Sequence, residues 1–212
     1  GVGFRAVTPQ EFVAKWRDPQ GTEKALSQSH FIDLCHMLGV PAPTDEGTGP
    51  DSYTFEKGCE LTGGSQGWAD VWRRRCFAWE YKGPDRDLRK AYDQLLGYHE
   101  ALENPPILVV CDLKVIEVHT KFQDYASTTE RFTLDDLLDP AKRDRLRLIW
   151  LDPLQWRTGT RSDAVTAEAA AGFAKIADAL RAQGVEPERA AHFLIRLLFC
   201  LFAEDVQILP NR

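Results

Sequence analysis

Hydrophobic and polar positions along the chain change period several times, and each change marks an element. Thr8 is followed by Pro9 and, three residues on, by Glu11, the pattern of a capping box ahead of Phe12, Val13 and Trp16. A first helix is therefore predicted from Thr8. A second runs from about Glu23 to Leu38, where Phe31, Leu34, Cys35 and Leu38 recur at helical spacing and Gly39 supplies the stop. Segments 41–52 and 62–67 read as loops by composition, and TFEKGCEL between them is a candidate short helix that includes Glu56.

The period then shortens to two. GWADVWR and CFAWEYK are aromatic-rich alternating runs on either side of a basic turn around Arg74, which predicts a β-hairpin. Helical spacing returns from Asp87 to Leu102 through Leu88, Ala91, Leu95 and Tyr98. ILVVCD, after Pro106, is a continuous apolar strand of the kind covered on both faces, and KVIEVHT alternates. Helix, hairpin, helix, strand and strand in that order imply a mixed sheet flanked by helices, of α/β (α+β) class.

From about residue 133 the chain is helical in short pieces, with the charged run AKRDRLR ahead of Leu148, Ile149 and Trp150. Residues 153–165 read as a linker. Two strong helices follow, from Ala164 to Gln183 and from Pro187 to about Asp205. The last is apolar nearly all round (FLIRLLFCLF at 193–202), so it is expected to be buried, and against more than one partner helix. The expected division is a domain at 1–155 and the start of a truncated helical segment at 156–212.

Composition narrows the function classes. With 212 residues, 43% hydrophobic and 27% charged, the chain has enough material for one compact domain and an appendage. A net charge of −6 excludes coating of nucleic acid by overall charge, so any DNA contact has to be local. The longest apolar run is half of what a bilayer needs and carries Arg196, so no membrane span is expected, and the opening GVGFRAV has no export-signal pattern. Five widely spaced cysteines without a CxxC pair favour reduced thiols and a cytoplasmic protein. His30 and His36 flank Cys35 on the second helix; a metal role there competes with a half-buried surface cluster.

One constellation carries chemistry: Asp70, Glu80 and Lys82 in a D-x9-E-x-K arrangement. Glu80 and Lys82, two apart on a strand, project from one face, while Phe77, Trp79 and Tyr81 fill a core on the other. An odd-numbered turn of Arg73, Arg74 and Arg75 would set Asp70 opposite Ala78 and diagonal to Glu80, roughly 7 Å away. Two such carboxylates suit Mg²⁺, which takes oxygen ligands and completes its octahedron with water and phosphate oxygen. The alternative is an exposed hairpin face charged for solubility. Local charge bears on that choice: Arg73, Arg74, Arg75, Lys82, Arg86, Arg89 and Lys90 stand against Glu80, Asp85 and Asp87, a net of +4 that leaves −10 for the rest. Such a patch suits a polyanion, and its bases other than Lys82 are the candidate DNA-backbone contacts. A second acid-x-Lys, Asp112-Leu113-Lys114, reads as accidental.

GWADVWRRRCFAWEYKG resembles the nuclease core of the PD-(D/E)XK superfamily. The stretch from TFEKG through EYKGPDRDLRKAYDQLLGYHEAL to ILVVCDLKVIEVHT is similar to the N-terminal endonuclease domain of MmeI-like, type IIL, single-chain restriction-modification enzymes. FLIRLLFCLFAED resembles the start of their helical spacer. The likeness covers about residues 53–120 and 164–206. It implies a restriction-endonuclease-like sheet and a Mg²⁺-dependent DNA endonuclease, with Mn²⁺ tolerated, in which Asp70 and Glu80 bind the metal and Lys82 assists the water. Glu56 matches an extra acid of some members, or is a solvated glutamate. Gln94 and Tyr98 match a QxxxY helix motif that contacts phosphate or supports Lys82, or are a polar residue and a core tyrosine.

The same likeness implies double-stranded DNA as substrate, a cytoplasmic prokaryotic enzyme, and methyltransferase and target-recognition domains in a longer chain. S-adenosylmethionine would bind only there. ENPPILV at 103–109 lacks the context of a methyltransferase motif and reads as a helix-to-strand turn. A homodimer is compatible with cutting both strands. Two rival readings are a catalytically silent DNA-contacting or scaffold module of a methyltransferase, and a nuclease subunit of another restriction system.

Overall fold

The structure is a computed structural model that describes residues 7–21, 23–45, 49, 51–60, 66–83, 87–158 and 162–205. Two compact units make up the chain, Gly1–Gly159 and Thr160–Arg212. Two helices open the first unit, α1 (Pro9–Trp16) and α2 (Glu23–Leu38). The capping box is present: the Glu11 amide donates to the Thr8 hydroxyl at 3.2 Å and the Thr8 amide donates to the Glu11 carboxylate at 2.9 Å. Gly39, at φ +65°, ends α2 in the left-handed conformation that a side chain disfavours.

Six strands form one sheet in sequence order: β1 (Tyr53–Glu60), β2 (Gln66–Arg73), β3 (Phe77–Tyr81), β4 (Ile107–Cys111), β5 (Val115–Thr120) and β6 (Thr129–Thr133). All neighbours are antiparallel except β3 and β4, whose parallel pairing needs the long crossover that contains α3 (Leu88–Tyr98). The sheet is thus the mixed one expected. Residues 54–60 of TFEKGCEL, however, are strand and not helix. Their pairing with β2 from Tyr53↔Arg73 to Glu60↔Gln66 outweighs a local preference that was weak in either direction. The pairing of β6 at the edge of the sheet had no signal in the alternation.

Helices cover both faces. On one side α1, α2 and α4 (Pro140–Leu151) close over an aromatic core in which Phe31 meets Trp79 edge to face at 5.1 Å and Phe77 meets Trp150 at 5.2 Å. Trp156 joins this core from the segment expected to be linker. On the other side α3 packs Leu88, Ala91 and Leu95 onto Trp72, Ala78, Leu108 and Val110. Strands β3 and β4 are buried along their whole length, as covered faces require.

The hairpin turn has three residues, the odd number expected, but they are Arg74, Arg75 and Cys76. Arg73 stays in the strand, opposite Phe77, because its side chain lies over the Tyr53 ring and donates to the Trp150 carbonyl at 3.2 Å. Arg75 takes the left-handed position at φ +61°. Register therefore runs Val71↔Trp79, so Ala78 stands opposite Trp72 and not opposite Asp70.

In the second unit α5 (Ser162–Ala182) and α6 (Pro187–Asp205) pack on each other. With α5 packed on it, α6 still exposes Phe193, Ile195, Leu198 and Phe199. A helix apolar on all sides has more apolar surface than one partner can cover. No helix among the described residues is long and apolar enough to cross a membrane.

Candidate active site

Alternation fails at one step of the β1–β2 pair, and the candidate site is built there. Phe55 packs on the α2 side and Val71 lies in that core, whereas Lys57 sits over the Trp72 ring and Ala69 lies in the α3-side core. Residues two apart on a regular strand share a face. Both strands must therefore rotate at the intervening residues, Glu56 and Asp70, which the flanking pairs Phe55↔Val71 and Lys57↔Ala69 set opposite each other. Glu56 carries the cost in a left-handed backbone, φ +51°.

The same step ends the β2–β3 ladder. Pairing stops at Val71↔Trp79, and the Tyr81 amide donates to the Asp70 carboxylate at 2.6 Å in place of a strand partner. Asp70 is held by the backbone of the residue between Glu80 and Lys82. Tyr81 is itself anchored from α2, its hydroxyl sharing a 2.8 Å hydrogen bond with Nδ1 of the fully buried His30. Burial holds the His30 imidazole neutral, with its pKa lowered to about 3. Neither His30 nor His36 belongs to a metal-ligating cluster among the described residues.

Glu80 is 5% exposed, an unusual place for a carboxylate. Its Oε1 accepts from Lys82 Nζ at 2.8 Å and from Gln94 Nε2 at 2.8 Å, while Gln94 Oε1 accepts from Lys82 Nζ at 3.3 Å. The three side chains close a triangle on the α3 side. Burial, and then the negative charge of Asp70, push the Glu80 pKa up to about 7 against the pull of Lys82 and Gln94. A divalent cation between the two carboxylates would reverse both causes. The donor set, carboxylate oxygens with a lysine beside them, fits Mg²⁺ or Mn²⁺ and not a soft metal.

The other sequence candidates separate. Tyr98 packs on Gly67, where a Cβ would come within 2.7 Å of its ring. Arg73 is tied to Trp150, and Arg74 forms a two-pronged ion pair with Glu103 at 2.8 and 2.9 Å. This turn stands at the opposite end of β3 from Glu80, which lies three residues beyond Phe77, roughly 10 Å along an extended strand. Arg89 pairs with Asp93 at 3.3 Å on the exposed face of α3, next to exposed Lys90. Arg86 lies outside the described residues. Asp112 caps the β4–β5 turn through the Lys114 and Val115 amides, at 3.1 and 2.8 Å, so the second acid-x-Lys is a turn motif. Glu103 and Asn104, both at positive φ, make the turn into β4.

Sequence reasoning missed the surroundings of Asp70 on the α2 side. A cavity of about 460 Å³ opens there, with Trp68 and Phe55 on its walls and Ser27 and Gln28 contributed by α2. Trp68, two residues before Asp70, was the available signal.

Comparison with known proteins gives two matches, and both are to parts of one enzyme type. Residues 188–212 match the MmeI helicase spacer domain. No curated protein and no solved structure matches the chain. Residues 5–183 match the MmeI N-terminal domain, so the chain belongs to that family, a region of DNA-acting restriction-modification enzymes.

Proposed function

We propose that the first unit is a Mg²⁺-dependent DNA endonuclease domain, the cutting part of a single-chain restriction-modification enzyme. The carrying observation is the placement of a buried Glu80 in contact with Lys82 and Gln94, and of an Asp70 pinned by the Tyr81 amide. Asp70 and Glu80 would hold the cation, and Glu56, opposite Asp70 in register, would reach it through water. When bound, Mg²⁺ lowers the pKa of a coordinated water and offsets negative charge on the phosphate. Among the described residues no three His, Cys, Asp or Glu side chains form a ligand cluster, so water and phosphate oxygens would complete the shell.

The chain's own groups have distinct tasks. Lys82 presents its ammonium beside Glu80, where it orients the attacking water and stabilises charge that develops on the phosphate oxygens. Gln94 holds both partners in place by donating to one and accepting from the other. Arg75, Arg89 and Lys90 are exposed cations available to the DNA backbone, whereas Arg73 and Arg74 first brace the protein. Double-stranded DNA is the substrate of this reading, in a cytoplasmic prokaryotic enzyme. Methyl transfer and sequence recognition belong to other domains of a longer chain.

Cleavage of plasmid DNA by the longer enzyme tests the assignment, with Asp70→Ala and Lys82→Ala as variants. Loss of nicking in both is expected, and unchanged nicking refutes the reading. Calorimetric titration with Mn²⁺ then distinguishes the scaffold alternative, which requires no binding that depends on Asp70 and Glu80.

A further inference from the structure

The cavity beside Asp70 has a construction that phosphodiester hydrolysis alone does not require. Trp68 is 54% exposed, although tryptophans 16, 72, 79, 150 and 156 are all buried. Its position on β2 is therefore not explained by core packing. The indole lies against the partner strand: a Cβ on Gly58 would stand 2.8 Å from the ring, so a side chain there would displace the indole. The ring also lines the cavity and is more than half exposed.

The remaining walls define the ligand. Phe55, turned toward this side by the left-handed Glu56, adds a second apolar surface. Ser27 and Gln28 bring a hydroxyl and an amide, and Glu56 and Asp70 bring carboxylates. Two acids disfavour a bare phosphate inside, but they accept from amino and imino groups on the edge of a flat ring. An aromatic platform with donors and acceptors around its rim, in a space of about 460 Å³, suits a single nucleobase. Within a duplex both faces of a base are already stacked, so a base that enters has left the stack.

We propose that this cavity receives one unstacked nucleobase, stacked on Trp68, from the strand whose phosphate lies at Asp70 and Glu80. The location of the DNA rests on the nuclease reading; the base site itself rests on Trp68, Gly58 and the cavity walls. Local opening of the duplex would thereby become part of substrate selection, and strands that open easily next to the cut would be preferred.

The test uses the full 212-residue chain with Ca²⁺ in place of Mg²⁺, and measures anisotropy of two labelled single-stranded dodecamers. One carries normal bases and the other is abasic throughout. The normal strand is expected to bind about ten-fold or more tightly, the size of one aromatic stack. Trp68→Ala removes that ratio, and Trp68→Phe, which keeps a smaller ring on Gly58, restores part of it. Equal affinity for the two strands, no measurable affinity for either, or a ratio unchanged by Trp68→Ala overturns the base site.

Failure of the nuclease reading has a different signature. Cleavage by the longer enzyme that survives Asp70→Ala refutes that reading and leaves the base-dependent ratio standing. Cleavage abolished by Asp70→Ala, together with a ratio indifferent to Trp68, refutes the base site alone.

Discussion

Replacing Glu80 by glutamine should make the protein more stable at pH 8 and leave it nearly unchanged at pH 5. The carboxyl has a pKa of about 7 in the folded chain against an ordinary value of 4.5. Between those two pH values the native state binds more protons than the unfolded state, so the group's contribution to stability falls as pH rises through the window. It is flat below about pH 4.5 and above about pH 7. A shift of this size corresponds to about 3 kcal/mol, with the ionised carboxylate unfavourable even beside Lys82.

Glu80→Gln abolishes the titration and keeps an amide oxygen for Lys82 and Gln94. The difference between variant and wild type should therefore shift by about 3 kcal/mol in favour of the variant from pH 5 to pH 8. In urea that is a relative midpoint change on the order of 1 M. Tryptophan fluorescence is the suitable probe, because all six tryptophans lie in the first unit. Saturating Mn²⁺ should close the gap at pH 8 by stabilising only the wild type. A variant less stable than wild type at pH 8, or a difference that does not change with pH, refutes the reasoning.

Three more outcomes are expected. Gln94→Ala removes a donor that favours the charged form of Glu80, so its pKa rises further and the pH midpoint for Mn²⁺ binding, read by calorimetry, moves upward; a downward or absent movement contradicts the triangle. Gly67→Ala drives a methyl to 2.7 Å from the Tyr98 ring and should cost about 1–3 kcal/mol in urea unfolding, with much of the loss recovered when Tyr98→Ala is added. His30, with its pKa lowered to about 3, loses stability as pH falls below its ordinary 6.5. His30→Gln should therefore flatten the acid limb by about 3 kcal/mol between pH 7 and pH 4, and an unchanged slope argues against a neutral buried imidazole.

Much of the architecture was legible along the chain because its signals are local. A capping hydroxyl and its reciprocal glutamate at Thr8 and Glu11 lie within one helical turn, and Gly39 acts at its own φ. Strand β4 declares its burial in an unbroken apolar run, and Glu80 and Lys82 share a face by strand geometry alone. The odd-numbered turn followed from the same parity. Its centre did not, since Arg73 is kept in the strand by Tyr53 and Trp150, which lie far away in sequence.

What tertiary structure decided were contacts between segments with no shared periodicity. Residues 53–60 became a strand because β2 was there to pair with, and Glu56 and Asp70 came face to face because two strands rotate together at that step. Gln94 reached Glu80 only once α3 had crossed from β3 to β4, and the turn arginines, adjacent to the acids in sequence, were carried to the far end of β3. The sequence by itself determined which residues carry charge and which local geometry each prefers. Only folding brought together an acid pair, a lysine and an open aromatic cavity, because long-range pairing and burial convert that local information into a site.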